Sequence, residues 1–182
     1  MRTFVAVVPP PAVLAPLLRA AEPMRGSFRA SWVPPERLHL TLAFLGEVSE
    51  ETATRVADGL RAAAADRAAF ALRLRGGGAF PRPRRARVVW AGVDGDLDAL
   101  SALARATRHA ARAAGVDVER TPYVPHVTVA RLRAPGDATA AVAAFGAVTS
   151  EEWTVTEVVL MRSVLGPKPS YEPLARLPLY QA

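Results

Sequence analysis

The chain has 182 residues, 51% of them hydrophobic, and a formal net charge of +6 from 23 Lys+Arg against 17 Asp+Glu. That length fits one compact domain or two closely joined lobes, and the apolar content excludes global disorder. The absence of cysteine rules out disulfides, thiolate nucleophiles and cysteine-bound zinc.

Phe4 to Val8 reads as a short strand, ended by Pro9, Pro10 and Pro11. Its apolar run is too short for a signal-peptide core and meets no cleavage site. No run approaches bilayer length, so a soluble, cytoplasmic protein is expected. From about Pro11 to Glu22 the pattern is helical, with prolines at the start, where a missing N–H costs little. Leu38 to Leu45 reads as a strand, Ser49 to Ala65 as a helix N-capped by Ser49, and Phe70 to Arg75 as a strand. The same order then returns. Arg87 to Val93 is a strand, Asp96 to Ala114 a helix closed by Gly115, and His126 to Leu132 a strand. Asp137 to Phe145 is a short helix, Trp153 to Met161 a strand rich in Val and Thr, and Leu174 to Leu179 a last strand. Two strand–helix–strand–helix–strand units therefore follow one another, over about 1–80 and 85–165, offset by roughly 85 residues. The expected outcome is an α+β protein, a single bilobal domain whose two similar lobes face each other across a groove.

The middle strand of each unit carries one pattern twice: His39-Leu40-Thr41-Leu42 and His126-Val127-Thr128-Val129. Residues two apart on a strand share a face, so His39 points with Thr41 and His126 with Thr128, while the aliphatics face the core. One such pair is most often an ordinary surface pair. Two pairs on matching elements, using two of only three histidines, point to chemistry. A neutral imidazole can take a proton from water while a protonated one gives a proton to a departing oxygen, which suits displacement at phosphorus. The threonine hydroxyls, with backbone N–H groups, can hydrogen-bond the non-bridging oxygens. No Asp or Glu lies within either motif, so neither a hydrolytic metal site nor a serine-type triad is indicated, and no cofactor is implied. His109, among Arg105, Arg108 and Arg112, reads as a solvated helix residue.

With these residues in view, the chain resembles the 2H phosphoesterase superfamily. Within it the chain is similar to the bacterial and archaeal RNA 2′,3′-cyclic phosphodiesterases, once called 2′-5′ RNA ligases. The resemblance rests on the stretch from Trp32 through His39 to Gly46, on Gly78-Ala79-Phe80-Pro81, on Pro125 through His126 to Arg131, and on Leu165-Gly166-Pro167 with Tyr171-Glu172-Pro173-Leu174. It implies a bilobal fold with a central groove, two pseudo-symmetric lobes each with an antiparallel sheet and flanking helices. It further implies hydrolysis of an RNA 2′,3′-cyclic phosphate, or of a small cyclic nucleotide, to a 2′-phosphate. His39 and His126 would be catalytic, Thr41 and Thr128 would bind the phosphate, and no metal would be needed. The resemblance alone makes His39 the proton donor to the leaving 3′ oxygen and His126 the acceptor from water. Joining of 2′-5′ RNA ends, with a 5′-hydroxyl in place of water, and a non-catalytic nucleotide- or RNA-binding module are the other readings. Nothing calls for an obligate partner, so a monomer is expected.

Strand alternation places Arg131 on the face opposite His126 unless a bulge intervenes. The arginines between Arg82 and Arg87 fall in a loop where they could meet an RNA backbone or simply be solvated. Trp32 and Phe80 are candidates to stack on a base, with packing at a lobe edge as their commoner fate.

Overall fold

Nine strands and four α-helices follow from this sequence in a computed structural model that describes residues 1–26 and 29–181. In chain order they are β1 (Arg2–Val7), α1 (Pro11–Ala21), β2 (Ala30–Trp32), β3 (Leu40–Glu47), α2 (Glu50–Ala65), β4 (Phe70–Phe80) and β5 (Ala86–Gly95). There follow α3 (Leu97–Ala113), β6 (His126–Gly136), α4 (Thr139–Gly146), β7 (Trp153–Val155), β8 (Glu157–Val164) and β9 (Ser170–Pro178). Local chemistry accounts for the helix starts. The Ser49 side chain accepts the Thr52 N–H at 3.1 Å, and Asp96 accepts the Ala99 N–H at 2.9 Å, each satisfying a donor that the first turn leaves orphaned. α3 is followed by Gly115, which adopts φ +87 as the turn out of the helix requires.

The strands form one curled antiparallel sheet in the order β7-β4-β5-β6-β3-β1-β8-β9, with the short β2 also paired to β6. Its middle is thin. β3 and β6 share a single ladder pair, Leu40 with Val127, and that seam divides the sheet into two lobes, β3-β1-β8-β9 and β7-β4-β5-β6. α2 and α3 pack together on the outside of the first lobe, α1 and α4 on the outside of the second. Leu40, Leu42, Val127 and Val129 are buried beneath the helices, as the alternation predicts. The opposite face of each lobe is left open for a groove.

The lobes are not the two sequence units. The third strand of the first unit, β4, pairs with β5 of the second, and β8 of the second unit pairs with β1 of the first. Helices cross in the same way: α1 lies against β4 and α4, and α3 lies against β3 and α2. One expectation is corrected here. Trp153 to Met161 is not one strand but two, split at Thr156, and they serve opposite ends of the sheet, β7 beside β4 and β8 beside β1. Both halves of that run alternate like strands, so the sequence alone shows no break. β2 was not expected at all; at three residues it is too short to leave a pattern.

Candidate functional site

His39 stands immediately before β3 and His126 opens β6, each one residue ahead of the ladder pair that joins the lobes. Antiparallel order around Leu40 and Val127 brings His39 towards Thr128 and Thr41 towards His126. All four predicted site residues are half-buried on the open face at the seam. The Tyr123 hydroxyl ties the motifs further, donating to the Thr41 carbonyl oxygen at 3.0 Å.

The two imidazoles are held alike. His39 Nδ1 lies 2.8 Å from the carbonyl oxygen of Arg37, and His126 Nδ1 lies 2.7 Å from that of Val124. A carbonyl can only accept, so Nδ1 carries the hydrogen in both rings and Nε2 is the nitrogen that gains and loses a proton. His39 Nε2 is 2.9 Å from Thr41 Oγ1, which donates to it when the ring is neutral. Aromatic rings fix each imidazole from the sides. His39 sits against Phe4 at 4.7 Å and the edge of Tyr171 at 5.3 Å, and His126 against Phe80 at 4.9 Å and Trp90 at 5.9 Å. The Arg37 guanidinium in turn covers the Tyr171 ring at 4.9 Å.

Burial lowers the pKa of both histidines below the ordinary 6.5. The Arg37 and Val124 carbonyls oppose that shift, and the charge of Arg131 adds to it at both rings; Arg37 and His126 add to it at His39. A site that destabilises imidazolium through nearby cations is matched to an anion, whose arrival would restore the protonated form.

Arg131 is therefore part of the site, and the face expected for it from simple alternation is corrected. On β5, Val88 and Trp90 are two residues apart and share a face, yet they pair with Arg131 and Thr128, three apart on β6. Val129 is the extra residue of a β-bulge, which turns Arg131 to the side of His126 and Thr128. β3 does the same. Phe4 and Ala6 pair with Phe44 and Thr41, Leu42 is the extra residue, and Phe44 faces the groove with 60% of its surface exposed. Sequence reasoning assigned no role to Phe4, Arg37, Phe44, Trp90, Tyr123 or Tyr171. One signal was available: the repeat runs for seven residues, His-Leu-Thr-Leu-Ala-Phe-Leu against His-Val-Thr-Val-Ala-Arg-Leu, and a repeat that long implies a shared backbone path.

Of the two aromatic candidates, Trp32 packs 6.5 Å from Phe145 at the edge of the second lobe, whereas Phe80 forms one wall of the His126 site. Arg82, Arg84, Arg85 and Arg87 are exposed around the turn at Pro83–Arg85. His109 is exposed on α3, away from the seam. No described helix is long and apolar enough to cross a membrane.

A family model of the 2′-5′ RNA ligase superfamily matches residues 9–167. A Thermus thermophilus protein named RNA 2′,3′-cyclic phosphodiesterase is 39% identical, over 98% of this chain and 90% of its own. One of the same name from Geobacillus stearothermophilus is 35% identical over 84% of this chain, and the chain spans only about half of that relative's length, 48%. The crystal structure of TT0787 of Thermus thermophilus superposes with a TM-score of 0.82, at 34% identity and 98% coverage of both chains. With the family model, the relatives and the fold in agreement, the chain belongs to the 2′-5′ RNA ligase superfamily.

Proposed function

We propose that the protein hydrolyses RNA 2′,3′-cyclic phosphate ends to 2′-phosphomonoesters, by acid–base catalysis between His39 and His126 and without a metal. The observation that carries this reading is the matched tautomer: both rings spend Nδ1 on a backbone carbonyl and keep Nε2 for proton transfer at one seam. The shared name of the Thermus and Geobacillus relatives supports the choice of substrate.

In the reaction, neutral His126 takes a proton from water at Nε2 as the water oxygen bonds to phosphorus. Protonated His39 gives its Nε2 hydrogen to the 3′ oxygen as the bond from phosphorus to that oxygen breaks. Each turnover moves one proton to His126 and one from His39, and exchange with solvent resets the pair. In this reading Thr41, Thr128 and Arg131 hold the non-bridging oxygens, with the Arg131 guanidinium offering two donors to one phosphate. Tyr123 is a positioning residue, since it touches backbone rather than the seam's open face. With the two histidines as acid and base, this reading calls for no metal-bound nucleophile.

Adenosine 2′,3′-cyclic phosphate tests the reading. His39→Ala and His126→Ala are each expected to lower turnover by about 10²–10⁴-fold, the range for loss of a general acid or base. The 2′-phosphate should be the product, and a chelator should leave the rate unchanged. Full activity in either variant, or loss of activity with chelator, would overturn the mechanism.

A further inference from the structure

Arg131 does not stand alone on its face of the sheet. Beyond the bulge β6 alternates regularly: Leu132 is buried, so Arg133 turns to the same open face as Arg131, roughly 6.6 Å further from the seam. β2 lies alongside this stretch, pairing Ser31 with Arg131 and Ala30 with Leu132. The same register carried one residue on sets Arg29 against Arg133, and residues opposite one another on a ladder share a face. Arg29, Arg131 and Arg133 are all exposed. Past them β6 ends at Gly136, beside Ala86 and the turn Pro83–Arg85, where exposed Arg82, Arg84 and Arg85 add further charge.

This charge is not balanced as it is elsewhere in the sheet. Every arginine on β4, β8 and β9 has a carboxylate partner: Arg73 with Glu152, Arg75 with Asp94, Arg162 with Glu172 and Arg176 with Glu157. Among the described residues, none of Arg29, Arg131 and Arg133 enters an ion pair. Asp137, the next acidic residue along the chain, spends its carboxylate on the Thr139 N–H at 2.9 Å and hydroxyl at 2.6 Å, and the one cation that lowers its pKa is Arg84. Like charges set opposite one another weaken a strand pair, so the fold itself gains nothing from arginine at both 29 and 133. A guanidinium fork offers two donors to one phosphate. A row of such forks at strand spacing, opening from the seam, suits a polyanion that begins at the reacting phosphate.

We propose that Arg133 and Arg29 form a track that holds the phosphodiesters on the 5′ side of the cyclic phosphate, so that an RNA end is preferred over a free cyclic nucleotide. The inference deepens the hydrolase reading above and rests on it. The cyclic phosphate lies at the seam, and the strand leaving it follows the open face of β6 and β2 past Arg133 and Arg29 towards the turn Pro83–Arg85. Contacts to phosphate fix register without reading bases, so the track accepts any RNA sequence. Its contribution is electrostatic and falls as salt rises.

The test is a salt series. The kcat/KM for an oligoribonucleotide ending in a 2′,3′-cyclic phosphate is measured against that for adenosine 2′,3′-cyclic phosphate, which lacks the upstream phosphates. Each phosphate contact to a single strand adds about 0.7 to the fall of log affinity with log salt, so two contacts should make the oligonucleotide's slope steeper by about 1.4 in wild-type protein. Arg29→Gln combined with Arg133→Gln should abolish that difference. Arg105→Gln combined with Arg112→Gln removes the same charge from the exposed side of α3 and should keep it. Equal slopes for the two substrates in wild-type protein would overturn the proposal. So would a difference that survived in the Arg29 and Arg133 variant, or one lost equally in the α3 variant, which would make it an effect of net charge. Wild-type protein that turned over neither substrate would bring down the hydrolase reading itself, and this proposal with it.

Discussion

A histidine pair can act as acid and base only if one ring is protonated while the other is not, and the site's charges bear on where that occurs. Burial, aided by Arg131, holds both imidazoles below 6.5 in the free protein. The kcat/KM profile, which reports the free protein, should therefore be a bell centred on the acid side of 6.5. Removing a cation makes imidazolium easier to form, so Arg131→Gln should move both limbs to higher pH as well as lowering the maximum. A profile that kept its position in that variant would separate Arg131 from the histidines. At this scale much was legible in advance: the two motifs named His39, Thr41, His126 and Thr128 because strand alternation needs no tertiary information. Arg131 was misplaced for the same reason. A bulge is a property of two paired strands, and its extra residue leaves no mark on the one sequence that is read. Tyr171, Phe4 and Trp90 reach the histidines from other strands, beyond what spacing can show.

The elements explain how an aromatic wall is held against a proton-transfer site. Trp90 on β5 faces His126, and its ring lies against the neighbouring β4 at Gly78, where an added Cβ would come within 2.3 Å of the indole carbons. Gly78 is thus the floor on which Trp90 rests. Gly78→Ala should force the indole into Phe80 or His126, the two rings beside it. Overpacking of this kind costs about 1–3 kcal/mol, so both the melting temperature and turnover should drop, the latter with Trp90 displaced from His126. Unchanged turnover would show that the wall is dispensable. The strand expected from Phe70 to Arg75 does not stop at Gly76-Gly77-Gly78, although glycine weakens a strand interior; β4 continues through the run to Phe80. Pairing with β5 on one side outweighs that local preference. Helix limits, by contrast, were readable to within a residue or two, because Ser49, Asp96 and Gly115 act through their own backbone neighbours.

On the scale of the whole molecule the order of strands and helices was largely legible and the exchange of strands was not, since pairing between distant segments is settled by how faces fit rather than by local pattern. Each lobe is assembled from both sequence units. β4 has its ladder partners, β5 and β7, entirely in the second unit, and β1 depends on β8 for one of its two neighbours. The lobes should therefore unfold together. Thermal or urea denaturation is expected to give a single transition, with far-UV circular dichroism and Trp fluorescence coincident; two resolved transitions would mean the lobes are independent. The crossed pairing also fixes what a smaller version of this protein would require. A chain holding one copy of the repeat has no partner for its own third strand and can complete neither lobe. Two such chains could complete both, each lending its last strand to the other, and the seam where His39 meets His126 would then join two separate molecules.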